Sequence, residues 1–277
     1  MKVPDFSIII PTFNRALFLN TAIDSVLNQT HTDFELIIID DGSLDNTRSL
    51  VESCHDTRLN YIITEHKGVS SARNTGIKNA KSDWLCFLGS DDKFRKDKLA
   101  ITYDAIQNNP DYKIFHTEEI WYMNGKLLDQ KKIHKKPSGH VFPNALKICC
   151  IGMSTSTIHR SAFDEAGLFD ESMQACEDYD LWLRMTLTMP VFLIKEALTI
   201  KQGGHKDQLS RTYPAMDRFR IYSLDKLLSS GKLDKSQYNL AYQELEHRCN
   251  IVSKGAVKRG NLDEIEEYKQ MLGKYRN

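Results

Sequence analysis

Apolar residues in the first 110 positions of the chain follow two alternating periods. Short runs rich in β-branched residues are typical of buried strands, and apolar residues three to four positions apart are typical of helices. Residues 6–10 form the first such run, which stops at Pro11, and residues 16–29 carry the first helical pattern. Further strands are predicted at residues 35–40, 59–63, 84–88 and 113–116, and further helices at residues 45–54, 68–80 and 95–108.

Repeated strand–helix–strand units predict an α/β protein with a mostly parallel sheet and helices on both faces. In such sheets, ligands bind at the edge where the carboxyl ends of the strands meet. We therefore expect a polar ligand site along that edge. The segments that follow the first four predicted strands are polar, acidic or glycine-bearing: residues 11–14, 40–43, 65–68 and 89–92.

The pattern changes after about residue 117. Asn124 and Gly125, placed between two apolar segments, are a strong signal for a β-hairpin. Residues 131–143 are basic and turn-rich, which favours a loop, and the basic cluster at 131–136 is either solvated or lies over an anionic ligand. A helix is predicted at residues 177–188, a strand at 191–194, a loop at 203–207, and amphipathic helices at 214–229, 235–254 and 262–275.

A chain of 277 residues with 41% hydrophobic residues can form one large α/β domain and a modest extension. Its 37 basic and 37 acidic residues cancel, which argues against a protein that coats nucleic acid. The six cysteines form no Cys-x-x-Cys pair, so we expect reduced core thiols. With no signal-peptide pattern and no apolar run of membrane-spanning length, the expected location is the cytoplasm, and the inner face of the membrane is the alternative.

The expected site depends on acids rather than on glycines. The sequence has no Gly-x-Gly-x-x-Gly after its first strand and no P-loop pattern. Asp91 and Asp92 follow the fourth strand, and adjacent carboxylates repel each other unless a cation or hydrogen bonds compensate. Hard oxygen ligands suit Mg²⁺ or Mn²⁺, which also bind diphosphates. The alternative is an Asp-rich turn or a helix N-cap.

Other polar groups have both a functional and a structural interpretation. One carboxylate of the 40–43 segment, Asp40 or Asp41, could accept a hydrogen bond from a base or a ribose, or it could cap a turn. Arg73 could reach a phosphate with its planar guanidinium group, or it could lie on the surface. Glu177 and Asp178 begin a predicted helix, where the macrodipole favours acids whatever their function.

In order and spacing, these segments resemble the family 2 glycosyltransferases of the GT-A fold, over roughly residues 5–205. The resemblance implies an α/β architecture of the nucleotide-diphospho-sugar transferase type, with a Rossmann-like, mostly parallel sheet flanked by helices and a C-terminal helical extension. The segments that carry it are residues 8–15, 25–30, 33–43, 68–74, 90–92 and 177–184. The implied division is a GT-A domain at 1–212, with a nucleotide-sugar-binding half at 1–116 and an acceptor-binding half at 117–212, and an extension at 213–277.

The resemblance also implies roles for individual residues. Pro11 and Phe13 would pack around the nucleobase, commonly uracil, and Asp41 would bind it. Arg73 would lie beside the diphosphate, and Asp91 would face the ribose or the donor sugar. The full implied nucleotide-sugar site is Pro11, Thr12, Phe13, Asn14, Arg15, Asp41, Gly68, Arg73, Ser90 and Asp91.

The remaining implied roles concern the metal and the reaction. Asp92 would ligate Mn²⁺ or Mg²⁺, and His205 matches a position that touches the metal or the diphosphate in some relatives. Asp178 would be the catalytic base, and Glu177 would assist acceptor binding. Single displacement with inversion needs a base on the acceptor hydroxyl and charge neutralisation on the leaving diphosphate, which this set would supply.

The implied function is transfer of a hexosyl-type sugar from a nucleotide-diphospho-sugar, expected to be UDP-linked, to a hydroxyl of a glycan or lipid-linked acceptor in bacterial surface-glycan biosynthesis. No nucleic-acid partner is expected. The C-terminal helices could pair chains into a homodimer or rest on a membrane as a peripheral contact, and ordinary core packing is the alternative to both. The absence of a Gln-x-x-Arg-Trp motif and of membrane helices counts against a processive synthase.

Two other classes of function remain open at this point. A nucleotidyltransferase that makes sugar nucleotides would use a Gly-rich, Lys-bearing loop after the first strand, which residues 13–16 do not provide. A sugar-nucleotide-binding module without transferase activity would not need both acidic pairs, at residues 91–92 and 177–178.

Overall fold

The computed structural model describes residues 2–204, 213 and 215–276. Its strands are β1 (Phe6–Thr12), β2 (Phe34–Asp40), β3 (Leu59–Ile63), β4 (Trp84–Phe87), β5 (Lys93–Phe94), β6 (Ile114–Met123), β7 (Lys126–Leu128), β8 (Ser156–His159) and β9 (Val191–Gly203). Its helices are α1 (Ala16–Leu27), α2 (Thr47–Glu52), α3 (Val69–Asn79), α4 (Lys98–Asn108), α5 (Phe142–Lys147), α6 (Arg160–Ala166), α7 (Glu177–Met185), α8 (Asp217–Leu228), α9 (Lys235–Arg259) and α10 (Leu262–Tyr275).

One sheet runs through the structure in the order β3-β2-β1-β4-β8-β6-β9-β5, and β7 pairs with β6. The pairs β1–β2, β1–β4, β2–β3 and β6–β9 are parallel, whereas β8 is antiparallel to both β4 and β6. The predicted α/β class is therefore confirmed. The carboxyl ends of β1, β2 and β4 lie at one edge, as the strand–helix alternation requires.

The strand β1 is buried on both faces, because helices cover each side of the sheet. Ile8 and Ile10 belong to the core beneath α1, and Ile9 faces the larger core on the opposite side. Helix α3 approaches β1 closely at Gly76, where an added Cβ would overlap the Ile9 side chain. This close approach holds α3, and with it Arg73, against β1.

The predicted hairpin is confirmed by the pairing of β6 with β7, in which Met123 lies opposite Lys126. Asn124 and Gly125 both have positive φ, at 51° and 75°. A two-residue turn of this kind matches the twist of its strands, and Asn and Gly adopt positive φ at the lowest cost.

Strand β9 is longer than the sequence predicts and continues to Gly203 instead of ending at Ile194. The exposed pair Lys195 and Glu196 interrupts the apolar run, and the register between β6 and β9 shifts near Glu118. The bulge places those two polar residues outside, and the strand resumes after them. The predicted loop at 131–143 contains a 3₁₀ turn at Lys132–His134, and α5 begins at its end.

The helices α8, α9 and α10 do not form a separate body. Leu224 of α8 and Leu245 of α9 are fully buried in the same core as Trp182 of α7. A capping box at Asp234 and Gln237 begins α9. No helix in the described ranges is both long and apolar enough to cross a membrane.

Candidate active site

Two adjoining cavities lie at the edge of the sheet where β1, β2 and β4 end. Cavity A has a volume of about 700 Å³ and lies beside the loops that follow β1 and β2. Cavity B has a volume of about 660 Å³ and extends from the end of β4 towards α7 and β9. Pro11, Arg15, Val69 and Ser90 line both, so the two form a continuous cleft. Volumes of this size are typical of small-molecule sites.

The predicted site residues divide between these cavities, apart from His205, which lies outside the described residues. Three of them, Pro11, Arg15 and Ser90, lie where the cavities meet. Cavity A alone is lined by Thr12, Phe13, Asn14, Asp41 and Gly68. Cavity B alone is lined by Arg73, Asp91, Asp92, Glu177 and Asp178.

Asp41 organises the turn that begins α3. Its two carboxylate oxygens accept hydrogen bonds from the backbone N–H groups of Lys67 and Gly68, at 2.9 and 2.8 Å. The imidazole Nδ1 of His66 lies 2.8 Å from Oδ2 of the same carboxylate. Gly68 has a φ of 92°, which favours glycine at this position. The structure therefore supports the turn-capping interpretation of Asp41 and also leaves it on the wall of cavity A.

Phe13 stacks on the imidazole ring of His66, with ring centroids 3.9 Å apart and an interplanar angle of 17°. The side chain of Phe13 remains 36% exposed, so part of its ring is open to a planar ligand. The neighbouring Asn14 donates its backbone N–H to Ser43 and accepts from the backbone N–H of Leu44. Asn14 thus ties the loop after β1 to the loop after β2. Sequence reasoning placed His66 in the polar segment 65–68 but gave it no role of its own.

Asp92 is buried at the end of β4 and held by hydrogen bonds. The hydroxyl of Ser154 donates to its Oδ2 at 2.5 Å, and the backbone N–H of Gln202 donates to Oδ1 at 3.1 Å. Burial, together with the charge of Asp91, raises the pKa of Asp92 to about 7. An added Cβ at Gly89 would lie 2.9 Å from Asp91 Oδ1 and 3.3 Å from Asp92 Oδ2. Only a glycine therefore leaves room for the two carboxylates beside it.

This acidic pair fits a divalent cation whose remaining ligands come from a substrate. The two carboxylates converge on one small space, and each hydrogen-bonded oxygen of Asp92 keeps a lone pair. Ligating carboxylates are commonly fixed by such hydrogen bonds. Among the residues that the structure describes, no cluster of three His, Cys, Asp or Glu side chains could hold a metal. Mg²⁺ typically binds through one or two carboxylates and substrate phosphates, which agrees with this arrangement.

Arg73 and Glu177 form a buried ion pair across cavity B, between Nη1 and Oε1. Burial raises the pKa of Glu177, and the Arg73 charge opposes that rise. The Arg73 guanidinium also lies over the ring of Phe169. Arg73 is predicted to lie beside the diphosphate and Glu177 to assist acceptor binding. These two side chains contact each other in the structure.

Asp178 lies at the N-terminus of α7 with both oxygens engaged. Its Oδ1 accepts from the backbone N–H of Tyr179 at 2.7 Å, and its Oδ2 accepts from the thiol of Cys149 at 3.2 Å. Burial raises the pKa of Cys149 well above its usual value, so the thiol keeps its proton. Cys176, which precedes α7, has the left-handed conformation, with a φ of 59°. This turn directs the start of α7 into cavity B.

Several charged residues of cavity B were missed or misplaced by sequence reasoning. Lys136, predicted in a solvated loop, is buried, with Nζ 3.5 Å from Glu119 Oε1 and 3.3 Å from Thr155 Oγ1. Burial opposes the charge of Lys201, but Asp92 and Glu119 raise its pKa above the usual range. Lys201 lies two positions after the buried Thr199 on β9, and this strand spacing could have indicated that Lys201 points inward. The spacing was not recognised because the predicted strand ended at residue 194.

The C-terminal extension also contributes to cavity B. Met216 and Arg220 line it, and the Arg220 guanidinium lies 5.9 Å from the centroid of the Tyr179 ring. Arg220 donates to Asp217 Oδ1 at 2.9 Å, which fixes its orientation. The extension therefore completes the wall that faces α7.

Comparison with known proteins agrees with this geometry. The model of the family described as glycosyl transferase family 2 matches residues 7–165, more than half of the chain. This chain belongs to glycosyl transferase family 2. The resemblance inferred from the motifs is thereby confirmed.

Relatives of known sequence share parts of the chain. An uncharacterised glycosyltransferase of Rickettsia felis is 40% identical over 179 residues, which are 64% of this chain and 29% of the relative. The chain thus spans less than a third of that relative's length. The UDP-Glc:alpha-D-GlcNAc-diphosphoundecaprenol beta-1,3-glucosyltransferase WfgD of Escherichia coli is 34% identical over 181 residues, 64% of this chain and 68% of the relative.

A solved structure shares the fold. It is that of S. aureus TarS in complex with UDP-GlcNAc, and it superposes with a TM-score of 0.77 at 18% sequence identity. The match covers 98% of this chain and 80% of the other. The GT-A architecture expected from the motifs is therefore confirmed.

Proposed function

We propose that this protein is an inverting glycosyltransferase that transfers a sugar from a UDP-sugar to a hydroxyl acceptor, with a divalent metal and with Asp178 as base. The observation that carries the proposal is cavity B. It brings the acidic pair after β4 and the acidic start of α7 into one space, although they are far apart in the chain. Cavity A adjoins it and provides room for a nucleoside.

Cavity A would hold the nucleoside of the donor. The exposed part of the Phe13 ring offers a stacking surface for a base, and Asp41 and Gly68 line the same cavity. The neighbouring Thr12, Asn14 and Arg15 would complete this site, and Ser90 and Asp91 would lead towards the sugar. UDP is proposed because the E. coli relative is named for UDP-Glc and the S. aureus structure contains UDP-GlcNAc.

The donor diphosphate would lie where the two cavities meet. Asp92 and Asp91 would hold Mn²⁺ or Mg²⁺, and His205 is proposed as a further ligand. When bound, the metal neutralises charge on the departing diphosphate. Arg73 would add its positive charge on the same side. The ion pair with Glu177 would keep the Arg73 guanidinium oriented.

The reaction would take place in cavity B. Asp178 would accept the proton of the acceptor hydroxyl as the hydroxyl oxygen attacks the anomeric carbon. The bond from that carbon to the diphosphate would break on the opposite side. Each Asp178 oxygen accepts one hydrogen bond from the protein and keeps a lone pair for this proton. Glu177 would help to bind the acceptor.

The wider assignments follow from this arrangement. We propose residues 1–116 as the donor half, 117–212 as the acceptor half and 213–277 as a helical extension. A lipid-linked glycan in bacterial surface-glycan biosynthesis is proposed as acceptor, because the E. coli relative is named for a diphosphoundecaprenol substrate. Cytoplasmic location would give access to nucleotide sugars.

The activity is tested by release of UDP from a panel of UDP-sugars with Mn²⁺, without and with chelator. Slow release without an acceptor, abolished by the chelator, is the expected result. Binding of UDP without release from any donor would instead indicate a binding module. A requirement for pyrophosphate would indicate a nucleotidyltransferase.

The metal site is tested separately by thermal unfolding with UDP, with and without Mn²⁺. Mn²⁺ is expected to raise the Tm of the UDP complex, because a ligand that binds only the folded state stabilises it. Asp92→Asn should lose this increment, and Asp111→Asn, at an exposed turn, should keep it. An equal increment in Asp92→Asn would remove Asp92 from the metal site.

A further inference from the structure

The hairpin of β6 and β7 and the turn after it expose apolar and basic side chains together. We name as the hairpin surface Tyr122, Lys126, Leu127, Lys131, Ile133 and Lys135, all of which are exposed. Leu127 and Ile133 are 63% and 62% exposed, which is unusual for large apolar side chains grouped within a short segment. Contiguous exposed apolar groups commonly mark an interaction surface.

Both faces of the hairpin tip are apolar. Leu127 lies opposite Tyr122 on one face, whereas Leu128 lies on the other, because side chains alternate along a strand. Leu127, Leu128 and Tyr122 are all exposed. A hairpin that merely covered a core would be apolar on one face only, so the tip has the pattern of a projection that enters an apolar medium.

The charge around this tip is strongly one-sided. Residues 121–136 contain five lysines, at 126, 131, 132, 135 and 136, and one acid, Asp129. Lys136 is buried in cavity B, whereas Lys126, Lys131 and Lys135 are exposed. Lysine side chains can lay their apolar stems along a surface and extend the ammonium group to an anionic headgroup. The whole chain, by contrast, has no net charge.

The hairpin surface adjoins the end of cavity B. Trp121 lies directly before Tyr122 and lines that cavity, where its ring lies 4.7 Å from that of His134. Trp121 directly precedes Tyr122 of the hairpin surface, and His134 lies between Ile133 and Lys135 of the same surface. A membrane at this surface would therefore lie beside the cavity in which the acceptor is proposed to bind.

We propose that the hairpin surface docks on an anionic phospholipid bilayer, with the tip of the hairpin in the interfacial region and the lysines against the headgroups. Apolar area and electrostatic attraction together determine the strength of such interfacial binding. The arrangement would bring a lipid-linked acceptor to cavity B. The docking of the hairpin surface rests on the proposed function in one respect only, which is the identity of the acceptor.

The test is flotation of the full chain with vesicles of pure phosphatidylcholine and of phosphatidylcholine with phosphatidylglycerol. Binding is expected to the anionic vesicles and to weaken with salt, which screens charge. Lys126→Gln, Lys131→Gln and Lys135→Gln combined should lower the partition coefficient roughly 100-fold, from about 1 kcal/mol per lysine. Leu127→Ser with Ile133→Ser should also lower it strongly.

Matched control variants exist in the C-terminal helices. Val257 and Leu262 are 63% and 72% exposed, so Val257→Ser with Leu262→Ser removes a similar apolar pair elsewhere. Lys254→Gln, Lys258→Gln and Lys269→Gln remove three exposed lysines from the same region. Both controls should bind vesicles like the unmodified protein. All variants should release UDP at the same rate in the absence of vesicles and acceptor.

Three outcomes would overturn the proposal. The first is equal binding, or none, to the two kinds of vesicle. The second is loss of binding in the controls but not in the hairpin variants, which would place the contact on the C-terminal helices. The third is a dimer in light scattering that the hairpin variants convert to monomer, which would assign the surface to a second copy through β7. If UDP is not released, that result would bear on the proposed glycosyltransferase activity and not on the docking of the hairpin surface.

Discussion

Cavities A and B adjoin each other but are built in different ways. In cavity A, polar side chains mainly fix the backbone, because Asp41 and Asn14 hydrogen-bond to N–H groups of neighbouring loops. In cavity B, buried charges face one another, as in the ion pair of Arg73 with Glu177. The first arrangement presents a shaped surface, and the second concentrates charge where little water screens it. We infer that cavity A selects the ligand and that cavity B carries out the chemistry.

The largest expected effect tests the chemical role of cavity B. Asp178→Asn should lower kcat by about 10²- to 10⁴-fold, the usual contribution of a general base. Donor affinity should change little, because Asp178 does not line cavity A. Steady-state kinetics and titration with UDP measure the two quantities. Asp111→Asn is the matched control, and turnover close to that of the unmodified enzyme in Asp178→Asn would contradict the assignment.

The next effect tests the selective role of cavity A. Phe13→Ala should raise the Kd for UDP about 10-fold, since stacking on an aromatic ring contributes about 1–3 kcal/mol per base. Its kcat at saturating donor should stay within about 2-fold, because the ring is remote from the reacting atoms. Phe13→Tyr retains the ring and should bind like the unmodified protein. A fall in kcat without a change in Kd would reverse the roles of the two cavities.

A smaller effect concerns the buried charges behind cavity B. His116 is fully buried, and its Nε2 lies 2.9 Å from the carbonyl oxygen of Pro137. Burial, with the nearby charges of Lys136 and Lys98, lowers its pKa to about 3. The unfolded state, with an ordinary pKa of about 6.5, then binds a proton that the folded state does not. Stability is therefore full above pH 6.5 and falls as the pH drops from there towards 3.

His116→Gln should remove this dependence and keep a donor for Pro137. Between pH 7.5 and 5.5, the free energy of unfolding should fall by about 1.4 kcal/mol more in the unmodified protein than in the variant. Urea unfolding at the two pH values measures the difference. His140→Gln, at an exposed position, is the control and should behave like the unmodified protein. Equal pH dependence in His116→Gln would show that the pKa of His116 is the same in the folded and unfolded states.

The difference between cavities A and B also explains which features of the molecule the sequence could predict. Strands β1 to β4 and the polar segments after them are visible because each is a continuous apolar run or a local motif, and α10 has the predicted bounds. Strand β8, Ser156–His159, was missed because its short, polar sequence has no apolar period. Cys149 and Lys201 reach cavity B only through the packing of distant elements, which local patterns do not encode. Sequence reasoning therefore found about half of the lining of cavity A and, in cavity B, the acidic pairs, Arg73 and the three residues shared with cavity A.

Cys149 gives the smallest expected effect and the sharpest test of how cavity B holds its acids. Its thiol donates to Asp178 Oδ2 at 3.2 Å, and burial keeps the thiol protonated. Cys149→Ala should lower kcat about 3-fold with an unchanged donor KM, because a thiol is a weak donor that orients the carboxylate. Cys149→Ser keeps a donor at that position and should restore most of the rate. If both variants lose activity equally, the thiol acts by filling space, and Asp178 is then oriented by the Tyr179 N–H and the start of α7 alone.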